Sequence, residues 1–533
     1  MKTIIKNSIL GMLLLILGSC VDLLQEPKSF ITPENMTYDK ETMDNLADGL
    51  YRELWAGNYG YNCRLQWVNL RADDIIAGSL TKPNPRLVIS DELRFNEAVS
   101  ETDVTTLYQG LYKLIQSSNL MIEGISASET ELETVNEKYI AEARFMRAFA
   151  YFNLVRLFGD VPAITDSRSS QDIFGDSKIS RNSVEDIYNH IIIPDLKYAE
   201  EKLDEYGRKE NNSTASRYAA KTCLADVYLT MAGWPLKQTN KYADARDKAA
   251  EVFGKYSLVS EYGDLWQEAT KSSREEHIFA LNHSAIGGMA SNYGISYVSI
   301  IENGGAWQDY LADSTFFENH PADKRRDFNF VSAYASRVGM VYQKVSFRKT
   351  AVRQSAAIDK YRDYGTASAQ SNGITPIYRY ADVMLIYAEA QNRADGAPNA
   401  ISEGFINQLR ARAYREPFTV SAALRPFEDP ENRKINKVMP DDADGIQSKP
   451  ANSDVATGLS MQDFEKVVHD ERGWEFFAEF KRWFELVRTE RVEEANLNPR
   501  VIQAGNLGDI NNRYLPLPIS EVNITGWAQN EGY

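Results

Sequence analysis

The stretch "EKYIAEARFMRAFAYFNLVRLFGDVP", Glu137 to Pro162, decides what kind of fold this chain takes. Phe145, Phe149 and Phe152 recur at spacings of four and three, the period of one helical face. Alanine, leucine, valine and tyrosine occupy other faces as well, so the helix is expected to lie deep in a helical body. Gly159 and Pro162 end it. Burial obliges Arg144, Arg147 and Arg156 to reach solvent or to pair with carboxylates such as Glu142. A mainly α protein follows.

Working outward, helical spacing predicts a helix over about Asp39–Ala56, with Leu46 and Leu50 on one face, and another over Asp103–Gly124. Asn182–Tyr206 reads as a helix interrupted near Pro194. Arg217–Phe253 reads as helix, break at Gly233–Pro235, helix, with small and large residues spaced as in a tetratricopeptide-type hairpin. Tyr378–Ala413 repeats that pattern, too far away for a regular solenoid. Between about His283 and Phe347, Gly, Ser, Asn and aromatics replace helical spacing and predict loops and turns. Residues 416–460 read as a solvated excursion. Asp441, Asp442 and Asp444 only faintly resemble a calcium loop, because Pro440 stands where the first ligand belongs. The last strong pattern, "DERGWEFFAEFKRWFELVR" (Asp470–Arg488), predicts one helix. Its Arg472, Glu475, Glu479 and Arg482 step by three, four and three, which places alternating charges on one face, able to pair along it. Glu475 and Glu479 also suggest a glycosidase acid–base pair. Arginine neighbours lower both carboxyls instead of raising one to serve as acid, so a structural ion network is the better reading.

The chain opens with Lys2 and Lys6, the apolar run "ILGMLLLIL", and then "LGSC" ending at Cys20. The run is short of the roughly 20 residues a spanning helix needs. A basic start, a short apolar core and small residues read as an export signal. The small residues before Cys20 match a bacterial lipobox, in which the cysteine thiol carries the lipid. The rest of the 533-residue chain shows no other run long enough to span a bilayer, and 43% hydrophobic residues support a large core. Its net charge is −16, with no basic run, which argues against a nucleic-acid partner. Besides Cys20 only Cys63 and Cys223 remain, too few for a disulfide framework. A bridge between them stays open, with free buried thiols favoured. No CxxC, HExxH, P-loop, GxSxG or dinucleotide fingerprint occurs, and the five histidines make no ligand-spaced pair, so neither metal nor cofactor is expected.

Five separated blocks resemble the SusD/RagB family of Bacteroidetes outer-membrane lipoproteins: "LILGSC", Ala141–Pro162, Ala219–Gly233, Ile377–Asn392 with Ile406–Ala413, and Glu471–Arg488. The terminal "YLPLPISEVNITGWAQNEGY" resembles the family's closing motif. Two positions depart from it: Gly473 replaces a usual arginine, and Leu515 a frequent phenylalanine. The resemblance implies a SusD-like fold, with tetratricopeptide-like hairpins and an irregular, loop-rich ligand-binding part. It implies a signal peptide over residues 1–19, a lipid-anchored leader over 20–36 and a body over 37–533. That body divides into an N-terminal part of about 37–235 and a C-terminal part of about 275–533. It further implies a non-catalytic lipoprotein in the outer membrane, facing the cell exterior, that binds glycan and delivers it to a SusC-like TonB-dependent transporter. Peptide uptake by RagB-like relatives is the alternative, and a surface glycoside hydrolase a more distant one.

Sugar recognition places a flat aromatic against the C–H face of the ring and uses amides, carboxylates and guanidinium groups for the hydroxyls. Two loop-like segments carry such residues. The first holds Trp55, Tyr59, Tyr61, Trp67 and Arg71; the second holds Asn292, Tyr293, Tyr297, Trp307 and Tyr310. Against this stands the structural reading, in which each is a core or partner-facing aromatic.

Overall fold

A computed structural model describes residues 36–54, 67–78, 85–91, 93, 97–128, 133–167, 179–209, 212–267, 269–270, 274–283, 296–297, 307–330, 355–356, 358–361, 372–415, 449–451, 453–496 and 513–533. Helix α1, Lys40–Glu53, starts where the Asp39 carboxylate accepts from the Thr42 amide at 2.8 Å. Strand β1 is Ile75–Ala77 and α2 is Pro85–Asp91. Two long helices, α3 (Glu97–Ala127) and α4 (Glu133–Phe158), pack along each other. Next come α5 (Val184–Ile187), a π turn (Tyr188–Ile192) and α6 (Ile193–Lys202). The π turn sits at the expected interruption, where Pro194 lacks the N–H for a regular ladder. The pair α7 (Arg217–Ala232) and α8 (Lys241–Ala250) follows.

The chain then turns to strands: β2 (His277–Asn282), β3 (Tyr310–Asp313), the short helices α9 (Ser314–Asn319) and α10 (Lys324–Asn329), β4 (Ser355–Ala356) and β5 (Ile374–Arg379). It closes with α11 (Tyr380–Asp395), α12 (Ala400–Ala413), α13 (Met461–Glu475), α14 (Arg482–Arg488), α15 (Val492–Asn496) and α16 (Ile519–Thr525). The mainly α expectation holds, and α7–α8 and α11–α12 are the two foreseen hairpins, with α8 packed on α11. Two small antiparallel sheets, β1-β3-β4 and β2-β5, join the helical hairpins to the irregular part.

Helix α4 is buried as its sequence demands. Phe145 and Phe149 meet the Phe279 ring of β2 edge-on at 5.3 and 6.0 Å. Its arginines pair with carboxylates as expected, though the partner differs from the example named. Arg147 pairs with Asp195 of α6 at 2.7 Å, not with Glu142, which goes to Arg208. Arg156 lies between the rings of Phe152 and Phe484.

The stretch from Asp470 to Arg488 is not one helix. α13 ends at Glu475, and the chain turns through Ala478 and Phe480, both at positive φ (56° and 63°), before α14 begins. The four charges therefore do not pair along one face. Glu475, Glu479 and Arg482 reach sequence-distant partners, and Arg472 reaches Glu485 across the turn, as described below.

At Gly233 a Cβ would collide with the Arg488 carbonyl, which accepts from the Trp234 amide at 2.9 Å, so only glycine allows α7 to end against α14. The C-terminal tail clasps the end of α4. The Leu515 amide donates to the Leu157 carbonyl at 2.7 Å, and Asn530 Nδ2 donates to the Phe158 and Leu515 carbonyls at 2.9 and 2.7 Å. Leu515 is fully buried, so its smaller side chain serves where the resemblance has phenylalanine.

Candidate ligand-binding site

Three sequence-distant segments meet at the start of β3. β1 pairs with β3 antiparallel, Ile75 opposite Ala312 and Ala77 opposite Tyr310. The Gly78 amide donates to the Asp309 carbonyl at 2.7 Å, and the Asp309 amide donates to the Ser296 carbonyl at 2.7 Å. Trp307 sits two residues before that anchor and is half-buried. Gln308 takes φ of 50°, which reverses the chain direction between the indole and the strand. A half-buried aromatic on a pinned backbone suits a sugar ring, because little is lost in ordering it.

The structure sorts the candidate aromatics. Tyr297 and Tyr310 are core residues, a correction. Their rings lie 5.2 Å apart, and Tyr297 stacks on Tyr361 at 5.3 Å, beneath the sheet. Trp67 is likewise buried, and its carbonyl accepts from Ser90 Oγ at 2.7 Å. Arg71 is fully buried with its guanidinium 4.1 Å over the Trp483 ring, and burial lowers it to about 10. Their apolar area is spent on packing, so these four are removed from the ligand face. Trp55, Tyr59, Tyr61, Asn292 and Tyr293 lie outside the described residues, as do Cys20, Cys63 and the faint calcium loop. Cys223 is free and buried, its thiol pushed up to about 12 by burial.

A cleft of about 590 Å³, which sequence reasoning missed, opens at the other end of β3, lined by Asp313, Asn319, Asp470 and Trp474 among others. Its volume falls in the range of roughly 300–1,000 Å³ typical of ligand sites. A second pocket, of about 70 Å³, lies between α4, α7 and α14, well below that range. Among the described residues no group of three or more His, Cys, Asp or Glu is placed to hold a metal. Among them, too, no helix is long and apolar enough to cross a membrane.

The charges of α13 and its following turn form a buried network. Arg379 donates to Glu276 at 2.8 Å, to Glu475 at 2.6 Å, and to Glu479 through Nη2 and Nε at 2.9 and 3.1 Å. Arg325 bridges Glu471 and Glu475 at 2.7 and 2.9 Å, and Arg412 joins Glu276 to Glu475. Lys360 donates to Glu479 at 2.9 Å. Arg472 faces Glu485 at 3.2 Å, and Arg482 grips Asp73 at 2.7 and 3.0 Å. Burial works to raise the Glu475 carboxyl, but Arg412, Arg379 and Arg325 overcome it and hold the group well below the usual carboxylate range. The same competition, won by Arg379 and Lys360, puts Glu479 at about 2. Neither acid is placed or poised to protonate a leaving group.

Acid should unfold this protein in a definite window. Burial lowers His277 and His320 to about 4, so each is neutral in the folded state while the unfolded chain takes up its proton near 6.5. Their contribution is present above 6.5 and is lost as pH falls through about 4. Asp74 runs the other way: burial, then Asp73 beside it, raises it to about 7, so its contribution is lost as pH rises toward 7. Asp195 and Asp382, also raised by burial, run with Asp74, but Glu475, Glu479 and Glu485, held low by their cationic partners, join the histidines in losing stability as pH falls through the carboxylate range, so urea midpoints should fall between pH 6.5 and 4. A flat or rising midpoint would contradict this assignment.

Helical hairpins carrying a non-helical, aromatic-bearing face are the architecture that the comparisons match. A profile described as "SusD family" matches residues 296–533, and one described as "Starch-binding associating with outer membrane" matches residues 83–229. A SusD-like protein of Formosa agariphila is 26% identical over 547 aligned positions, spanning 98% of each chain. The solved SusD homolog from Bacteroides thetaiotaomicron superposes with a TM-score of 0.76 at 22% identity, over 94% of this chain and 98% of its own. A laminarin-binding SusD-like protein superposes with a TM-score of 0.67 at 19% identity, over 93% of this chain and 100% of its own. The chain belongs to the SusD/RagB family.

Proposed function

We propose that this protein is a non-catalytic surface lipoprotein that binds oligosaccharide on the Trp307 face and delivers it to a SusC-like TonB-dependent transporter. The observation that carries the reading is Trp307: a half-buried indole whose flanking backbone is pinned to β1 and to Ser296. Family membership supports the ligand class, as do the laminarin-binding neighbour and the outer-membrane description of the matching profile. The lipobox at Cys20 supports a lipid tether in the outer membrane, with the body facing the exterior. The buried, ionised state of Glu475 and Glu479 supports binding without cleavage.

Isothermal titration of the chain from Val21 onward tests this, using plant, host and microbial oligosaccharides and a mixed peptide pool. Saturable binding of one glycan class is the expected result. Binding only to peptides would move the protein to the peptide-uptake branch. Release of shortened sugars by the purified chain would overturn the non-catalytic reading. Co-purification with the neighbouring barrel tests the delivery step.

A further inference from the structure

The Trp474 cleft lies beyond the Asp313 end of β3, at the opposite end of that strand from Trp307. Three features show what it accepts. Its walls carry charges of both signs in near balance, and most are already engaged: Arg482 with Asp73, and Lys466 with Asp470 at 2.8 Å. No single charge dominates, so neither an anion nor a cation is selected. Thr315 and Asn319 of α9 are exposed at its rim and offer hydroxyl and amide groups that both donate and accept. Trp474 is half-buried against His320, ring centroids 6.2 Å apart, and with Phe316 and Leu486 supplies the apolar surface of the cleft.

Gly473 keeps the floor open. It lies in α13 without a left-handed φ, so the backbone does not require glycine there, and helices disfavour it. A Cβ at this position would sit 3.4 Å from the Arg482 guanidinium and from the Phe316 ring. That is the near edge of ordinary contact, so a methyl group is accommodated, while a longer side chain at this lining position competes with Arg482, Phe316 and the cleft for space.

We propose that this cleft is a second saccharide site, taking a neutral sugar of two or three rings with one ring face on Trp474. A charge-balanced wall with exposed hydroxyl and amide groups beside the Trp474 ring suits a ligand rich in hydroxyls, with an apolar C–H face and no charge. The site shares with the proposed function only the class of ligand.

Titration of cellotriose, maltotriose and laminaritriose into four proteins tests it: wild type, Trp307→Ala, Trp474→Ala and Gly473→Leu. At least one trisaccharide should bind Trp307→Ala as it binds wild type, and bind Trp474→Ala and Gly473→Leu at least tenfold more weakly. Trp474→Phe, which keeps a ring, should restore part of the loss. Affinity unchanged within twofold in both cleft variants overturns the proposal, and so does wild type that binds none of the three. If Trp307→Ala alone abolishes binding, the second site falls and the function stands. If no glycan in the wider panel binds wild type, both fall. Should Gly473→Leu fold poorly, Trp474→Ala decides.

Discussion

Arg379→Met is expected to cost at least about 3–5 kcal/mol, a large part of the roughly 5–15 kcal/mol that holds a protein folded. Arg379 is fully buried and reaches three carboxylates, Glu276, Glu475 and Glu479, besides the Glu475 carbonyl at 2.8 Å. Methionine fills most of the same volume but donates nothing. The carboxylates keep Arg412, Arg325 and Lys360, yet those cations were balanced against the whole set, so net negative charge is left without water. Arg379→Lys should rescue little, because a compact ammonium on a shorter reach cannot span the three carboxylates that the five-donor planar guanidinium bridges. An exposed pair provides the contrast: Lys138→Ala, which loses Asp204, should change stability by less than about 1 kcal/mol. Urea unfolding of the three variants checks this. Equal midpoints for Arg379→Met and Lys138→Ala would mean that the network reorganises freely.

Trp307→Ala should show the opposite profile. Affinity for the glycan held at the Trp307 face should fall at least tenfold, while stability stays within about 1 kcal/mol, because a half-buried side chain ahead of β3 leaves no closed cavity. The anchors of its backbone, Gly78 to Asp309 and Asp309 to Ser296, do not involve the indole. Calorimetric titration and thermal melting on one preparation separate the two quantities. A melt lowered as far as in a core truncation, with affinity intact, would place Trp307 among the packing residues. Tyr297→Ala offers that comparison, since Tyr297 stacks on two tyrosines inside the core and should lose about 3–5 kcal/mol.

The helices were legible because burial imposes a period. The Phe145–Phe149–Phe152 stripe and the two hairpins needed no tertiary information. The break after Glu475 was not legible. Phe477, Phe480 and Phe484 continue an apolar stripe, and neither Ala478 nor Phe480 is a residue type that announces positive φ. What bends the chain there lies elsewhere in the sequence: Asp74 accepts from the Ala478 amide at 3.1 Å, and the Tyr361 hydroxyl donates to the Ala478 carbonyl at 2.8 Å. The ligand face failed for a related reason. Loop-like composition says that a segment is irregular, not which side of it faces water. Trp67, Arg71, Tyr297 and Tyr310 share their surroundings in sequence with Trp307, yet four pack inward and one does not. Trp474 went unnoticed because it lies within a helical charge motif whose other members are structural.

The clasp on α4 also says when the chain is able to fold. Leu157 and Phe158 wait for Leu515 and Asn530, Asp73 for Arg482, and the Asn69 amide oxygen for the Trp483 backbone N–H, partners some 350 to 410 positions further on. A ribosome emits these first-made segments long before anything exists to complete them. The early helices can form and pair, but their ends stay open until the final residues arrive. Closure is therefore a late, slow step dominated by distant contacts. In the proposed lipoprotein role the chain threads through a membrane before it works, and a structure unable to lock prematurely keeps the travelling chain pliable.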